Sequence, residues 1–297
     1  MNRATPAIAF AVATGGIAVF ASMDAVMKAQ SLLIGAYSAM LWRTLFGVAI
    51  SGSAFALTRP RMPSALEIKL HVARGTAAAI SVVLFFWGLT RVPMAQGVAL
   101  TFIAPLIALF LAGVVLREKV GKTTVIASLI AFAGVLVILM GQARAEMGPD
   151  AFRGSIAILV AAVLYAINLI LLRRQALAAK PIEIAFFTNI VFLGVYAVGA
   201  PFLLVWPAAD QWPWLAFAAL LATVSILALA WAYARAEASY LAPVEYTAFV
   251  WAAILGWLVF GERVQLLTIA GAALIVVGCI IAARRSPPPA PSVEAAM

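Results

Sequence analysis

Charge is scarce in this sequence: only 10% of its 297 residues are Asp, Glu, Lys or Arg, where soluble domains carry about 25%. A chain that is 66% hydrophobic cannot cover itself with a polar surface, so its solvent is a bilayer. Histidine and cysteine each occur once, as His71 and Cys279. A lone cysteine in an apolar run excludes an intramolecular disulfide and a cysteine metal site. With one histidine, no HExxH and no DxxxD, the ligand sets and nucleophile pairs of an intramembrane enzyme are missing. No enzyme activity, metal or cofactor is expected. The G-x-x-x-x-G-K-[ST] loop is absent and the connections leave no room for a nucleotide domain, which excludes direct ATP drive on this chain. Nor is there a run of carbonyl or charged residues of the kind that builds a channel filter.

The positive charge, formally +9, is spread over short loops rather than gathered in a patch. It therefore points to membrane orientation rather than to nucleic acid. A cleavable signal peptide at residues 1–29 fits poorly, because the apolar run is long and holds Asp24 and Lys28.

Counting stretches of ~20 mostly apolar residues gives an all-α polytopic membrane protein of ten transmembrane helices. The expected spans are 6–27, 34–57, 71–90, 94–116, 121–141, 154–172, 182–205, 213–234, 240–260 and 264–283. The tail 284–297, with SPPPAPS, reads as disordered. With the N-terminus inside, fourteen Lys and Arg, Arg74 among them, fall on the inner side and five outside, leaving Arg43 within span 2. Both termini are then expected in the cytoplasm of a bacterial cell, the chain crossing its inner membrane. The outer loop VWPAADQWPW, with Trp206, Trp212 and Trp214, reads as an interfacial aromatic belt.

Residues 87–134 recur at 231–278 without a gap. Adding 144 places Trp87 on Trp231, Arg91 on Arg235, Glu118 on Glu262, Thr124 on Thr268 and Gly134 on Gly278. Apolar matches carry little weight between membrane segments; the polar and Gly positions carry the duplication. Two repeats follow, 1–148 and 149–283. Five spans is an odd number, so the second repeat enters from the opposite face and the two are inverted. Glu118 then lies inside and Glu262 outside, and Asp24 has Asn168 as its counterpart.

Two segments, TFIAPLIALFLAGVVLREKVGKTTVIASLIAFAGVLVI and LAPVEYTAFVWAAILGWLVFGERVQLLTIAGAALIVVG, each run from a Pro-containing helix through a Glu to a Gly-bearing helix. They resemble the drug/metabolite transporter superfamily and its EamA-like group, over residues 6–283. The first half is most similar to the YddG-type exporters of aromatic amino acids. The resemblance implies that helices 1, 3, 4, 6, 8 and 9 line a central cavity while 5 and 10 pack to one side. One departure is that Pro105 has Phe249 as counterpart and Pro243 has Ala99, so the two halves would bend at different depths.

Ionisable groups in a bilayer need a partner or water. Arg43 needs an anion, and Asp24 is the natural candidate, although Asp24 can also pair with Lys28 four residues on. The choice is between a structural ion pair and a substrate or proton site. Glu245, whose counterpart is the neutral Thr101, is either a cavity carboxylate or a hydrogen-bonded structural acid. Glu118 and Glu262 stand where they can cap helices 5 and 10. Trp87, Tyr165, Trp231 and Tyr246 are candidate walls for an aromatic solute, with Asn168 one turn beyond Tyr165. Pro105 and Pro243 are candidate gating bends. His71 reads as an interfacial side chain, with proton coupling as the alternative.

The expected function is secondary transport, exporting aromatic and other neutral amino acids by alternating access. Export of drugs or organic cations is the alternative. The expected partners are the solute and the lipid bilayer, with no nucleic acid and no obligatory ATPase subunit.

Overall fold

In lipid a backbone N–H finds no water to bond, so apolar segments must satisfy their own amides, and a helix does this within one segment. A computed structural model of the chain describes residues 6–57, 63–104, 106–108, 111, 122–144, 148–176, 181–233, 244 and 246–283. These residues form helices α1 (Pro6–Ile34), α2 (Ala36–Leu57), α3 (Ala65–Leu89), α4 (Met94–Thr101), α5 (Lys122–Arg144), α6 (Gly148–Ala176), α7 (Pro181–Leu203), α8 (Trp212–Tyr233), α9 (Thr247–Phe260) and α10 (Leu266–Ala283). No strand occurs among the described residues. Six of the helices, α1, α2, α3, α6, α7 and α8, are long and apolar enough to cross a membrane. The protein is accordingly a polytopic, all-helical membrane protein.

Several helix boundaries differ from the expected ones, among them the start of α6 at Gly148 rather than 154, and two show the reason: a helix continues until its end is capped rather than until apolarity fades. The first helix does not stop at 27 but runs to Ile34, where Gly35 at φ 79° turns the chain. This keeps Lys28 inside a helix. The third begins at Ala65 rather than 71, because Ser64 and Glu67 make a capping box. Glu67 N–H donates to Ser64 Oγ at 3.4 Å, and Ser64 N–H to Glu67 Oε2 at 2.5 Å.

The main packing pairs are α1 with α8, α3 with α6, α2 with α7 and α5 with α10, and α4 lies against α9. Each pair is antiparallel. In α5–α10, Gly141 meets Leu267 while Gly134 meets Ile275. In α2–α7, Gly47 meets Asn189 while Gly199 meets Tyr37. Glycines set the closest approaches: a Cβ on Gly88 of α3 would lie 2.5 Å from the Gly154 carbonyl oxygen of α6.

Two buried hydroxyls show how closely the pairs match. Ser81 of α3 donates to the Ala161 carbonyl of α6 at 2.7 Å, and Ser225 of α8 donates to the Gly16 carbonyl of α1 at 2.9 Å. These serines stand 144 residues apart, the spacing of the sequence repeat. Ser81→Ala and Ser225→Ala should each lower stability in detergent by roughly 0.6–1 kcal/mol and by equal amounts. Thermal unfolding checks this; a cost confined to one of them would mean that the two contacts are not equivalent.

At one rim, Trp42 donates its indole N–H to the Val205 carbonyl at 2.9 Å and packs against Trp206 and Trp212. Trp206 and Trp214 are exposed, as an interfacial belt requires.

Candidate functional site

Helix α4 loses its regular hydrogen bonding after one stretch of eight residues, ending at Thr101. The next amides turn tighter: Phe102 N–H returns to Ala99 O at 3.2 Å and Leu106 N–H to Ile103 O at 3.1 Å. Across from it, Tyr246 stands in a turn just before Thr247, the first residue of α9, and Phe249 N–H returns to Tyr246 O at 3.3 Å. A matching hydroxyl sits beside each interruption. Thr101 Oγ1 donates to Val98 O at 2.7 Å, and Thr247 Oγ1 to Val244 O at 2.6 Å. Such back-bonds compete with the helix ladder and bend it. The interruptions fall at Phe102 and Tyr246, again 144 residues apart, and these two rings meet edge to face with centroids 5.5 Å apart. Pro105, Pro243, Glu245 and Glu118 lie outside the described residues.

Two polar nodes lie in other helices, one on α1 and α2 and one on α3, α6 and α7. Asp24 of α1 is 6% exposed, and no ion contact within 4.0 Å joins it to Arg43 or Lys28. Arg43 of α2 acts on Asp24 through space without closing to an ion pair. Its Nη1 reaches Met23 Sδ at 3.9 Å, and its Nε has no hydrogen-bond partner. The expected Asp24–Arg43 and Asp24–Lys28 pairs are therefore not formed. At the second node, Asn168 of α6 accepts from Arg74 Nη1 of α3 at 3.2 Å, and Arg74 Nη2 donates to Thr188 Oγ1 of α7. Sequence reasoning placed Arg74 among the inner-side cations and missed it as a buried group. The available signal was an arginine inside the apolar run HVARGTAAAI.

His71 is fully buried rather than snorkelling. Its Nε2 lies 3.4 Å from Glu183 Oε1, and its ring packs on Phe187 at 4.6 Å.

Glu262 caps a helix, but not the expected one. Its Oε2 accepts the N–H of Met94, the first residue of α4, at 2.7 Å, instead of capping α10. The cause is Gly261, whose positive φ of 65° returns the Glu262 N–H to Gly256 O at 3.0 Å and turns the carboxylate back toward α4. The other oxygen, Oε1, pairs with buried Lys28 of α1, whose ammonium also donates to Val92 O at 2.9 Å and lies 4.8 Å from the Phe260 ring. One ion pair thus ties α1, the start of α4 and the α9–α10 turn together.

The candidate aromatics separate. Tyr246 is part of the α4–α9 crossing. Trp231 packs in a small cluster with Ala13, Ile17 and Val244. Tyr165 is 46% exposed although it lies two turns on from fully buried Ile158, so the packed face of α6 opens at its level. Asn168, one turn further, is buried, and the two do not share an environment. Trp87 is 37% exposed, lies on a stripe with Val72 and Ile80, and holds the Arg91 guanidinium 3.5 Å from its ring centroid.

The profile of the EamA-like transporter family matches residues 7–140 and 152–284. The chain is 31% identical over 199 residues to a riboflavin transporter of Vibrio cholerae, spanning 64% of this chain and 63% of that protein, less than two thirds of its length. It is 26% identical over 276 residues to the pseudopaline exporter CntI of Pseudomonas aeruginosa, covering 89% and 92% of the two chains. It is 23% identical over 207 residues to an S-adenosylmethionine uptake transporter of Rickettsia prowazekii, covering 70% and 69%. A crystal structure with 20% sequence identity superposes with a TM-score of 0.62 over 95% of this chain and 100% of that one, and shares its fold. None of these carries the aromatic-amino-acid description that the sequence resemblance implied. With most of both halves matched by one transporter profile, the chain belongs to the EamA-like transporter family of the drug/metabolite transporter superfamily.

Proposed function

We propose that the chain is a single-chain secondary transporter that exports amino acids, aromatic and other neutral ones, across the inner membrane by alternating access. The observation that carries this reading is the meeting of two interrupted helices at Phe102 and Tyr246. Interrupted helices in the core of a carrier offer unsatisfied backbone groups to a polar solute, and repeat symmetry places them at the centre. Here two aromatic rings stand at that point and give an apolar solute face a matching wall. Ten spans in two inverted repeats, 1–148 and 149–283, with the tail 284–297 and both termini inside, complete the arrangement. Support comes from the antiparallel pairing of counterparts α2–α7, α4–α9 and α5–α10 and from the equivalent Ser81 and Ser225 bonds. The family profile also matches in two stretches.

In this reading Asp24, Trp87, Thr101, Tyr165, Asn168, Trp231, Glu245 and Tyr246 are the substrate-facing set. Pro105 and Pro243 allow the bends, and the Lys28–Glu262 pair closes the outer end. Export is part of the proposal, since the named relatives include both an exporter and an uptake transporter. Organic-cation export is the second reading, favoured by Asp24, a buried carboxylate with no ion-paired partner.

Purified protein in liposomes should move tryptophan or phenylalanine down a gradient with saturable kinetics. Flux confined to cationic drugs selects the second reading, and no flux for any amino acid ends the first. Cysteines introduced beside residues 118 and 262 should label from opposite sides of the membrane; labelling from one side would end the inverted repeat.

A further inference from the structure

We infer that Arg74 is an anion-binding residue of the transport path, taking the carboxylate of the solute; this rests on the transporter reading but not on the solute being an amino acid. Arg74 is the tenth residue of α3 and is 6% exposed. Its two hydrogen-bonding partners, Asn168 Oδ1 and Thr188 Oγ1, are both neutral. Its Nε–H has no partner, and no carboxylate of the described residues lies within 4.0 Å of the guanidinium. Glu183, on the neighbouring α7, is engaged with His71.

A guanidinium cannot discard its proton to escape burial. Held in a bilayer without a counter-ion it is strongly disfavoured unless something supplies the negative charge. Two other cations within the helices differ in this respect. Lys28 has Glu262 in direct contact. Arg43 is only half-buried, and the neighbouring α1 carries Asp24.

The repeat shows what is missing at Arg74. Asn168 occupies the position that corresponds to Asp24 in the first half. The first node carries its own carboxylate beside an arginine, and the second carries an amide. An aspartate at 168 would neutralise Arg74; the amide instead fixes one edge of the guanidinium and leaves the charge unspent. Thr188 holds Nη2, whose hydroxyl in turn donates to Ile184 O at 2.5 Å. An oriented planar fork with an unused N–H recognises a carboxylate, which can accept two parallel bonds from it.

The test uses the full chain in liposomes and two solutes that differ in one group: phenylalanine, and phenylalaninamide, which keeps the ring and ammonium but lacks the carboxylate. Arg74→Gln should raise KM for phenylalanine at least tenfold while shifting that for phenylalaninamide less than twofold. Arg74→Lys should recover part of the loss. Equal shifts for both solutes, or none, would overturn the inference. Should Arg74→Gln fail to fold, Asn168→Asp provides the second arm. By supplying a resident counter-ion it should weaken phenylalanine as selectively, and an unchanged KM would count against the inference. If neither solute moves, the amino-acid reading fails separately. The same pairing is then made on whichever solute does move, with and without its anionic group. Selective loss of the anionic form on Arg74→Gln upholds the inference, and an equal effect on both forms, or none, overturns it.

Discussion

Lys28→Met will destabilise the detergent-solubilised protein by roughly 3–5 kcal/mol, and adding Glu262→Gln will restore most of that loss. The lysine side chain is 4% exposed and the glutamate 19%, so water screens this pair little. Removing the ammonium leaves a mostly buried carboxylate whose remaining hydrogen-bond partner is the Met94 N–H. Glu262→Gln alone should cost less. A glutamine carbonyl can still accept from Met94, and Lys28 keeps the Val92 carbonyl and the Phe260 ring. With both charges gone, nothing ionised remains to be desolvated, and replacing a buried pair by neutral side chains is often close to neutral. The informative quantity is the coupling in this double-mutant cycle, read from thermal unfolding. If the two single effects simply add, the ion pair does not join α1 to the α9–α10 turn in solution. The same double variant bears on transport. With the latch removed and the fold intact, a cysteine placed at Val92 should alkylate faster from the outer side than in the parent.

Different parts of this protein were legible to different degrees, for reasons that can be traced to particular residues. The helical, membrane-embedded class follows from how little charge the chain has. The spacing of 144 was readable from polar and glycine positions, and it reappears in two residue pairs outside that comparison or unremarked in it: Ser81 and Ser225, which make equivalent bonds, and Phe102 and Tyr246, whose rings meet. Partners were much less legible. Asp24 was the one partner offered to Lys28, as an alternative to its pairing with Arg43, because the two are one helical turn apart, whereas the partner of Lys28, Glu262, is 234 residues away. Glu262 was given to the helix that follows it, because adjacency is visible in a sequence and a left-handed turn at Gly261 is not. Arg74 was counted with the inner cations because it lies close to the point where apolarity begins. The capping box at Ser64 starts the helix earlier and places Arg74 well inside it.

Gly271→Ala will lower stability by about 1–3 kcal/mol, Gly271→Leu by more, and Gly15→Ala by nothing or less than nothing. Both positions are helical, so intrinsic propensity favours alanine by roughly 0.5–1 kcal/mol at each, and only the surroundings differ. A Cβ on Gly271 would lie 2.5 Å from the Gly134 carbonyl oxygen and 2.5 Å from Ile138 Cγ1. The contact is reciprocal, since a Cβ on Gly134 would meet the Gly271 carbonyl oxygen at 2.6 Å and Ile275 Cγ1 at 2.7 Å. An isoleucine can change rotamer, but a carbonyl held in a helix ladder cannot move aside alone. The α5 and α10 backbones must separate, and every dispersion contact along the seam weakens with them. Between helices in lipid no hydrophobic effect opposes that separation, since close packing itself supplies the association. Around Gly15 nothing lies within 4 Å of the added carbon, so only the propensity gain remains. Thermal unfolding of the three variants decides the matter. Equal effects at 15 and 271 would mean that the seam is looser than the contact of these two glycines requires.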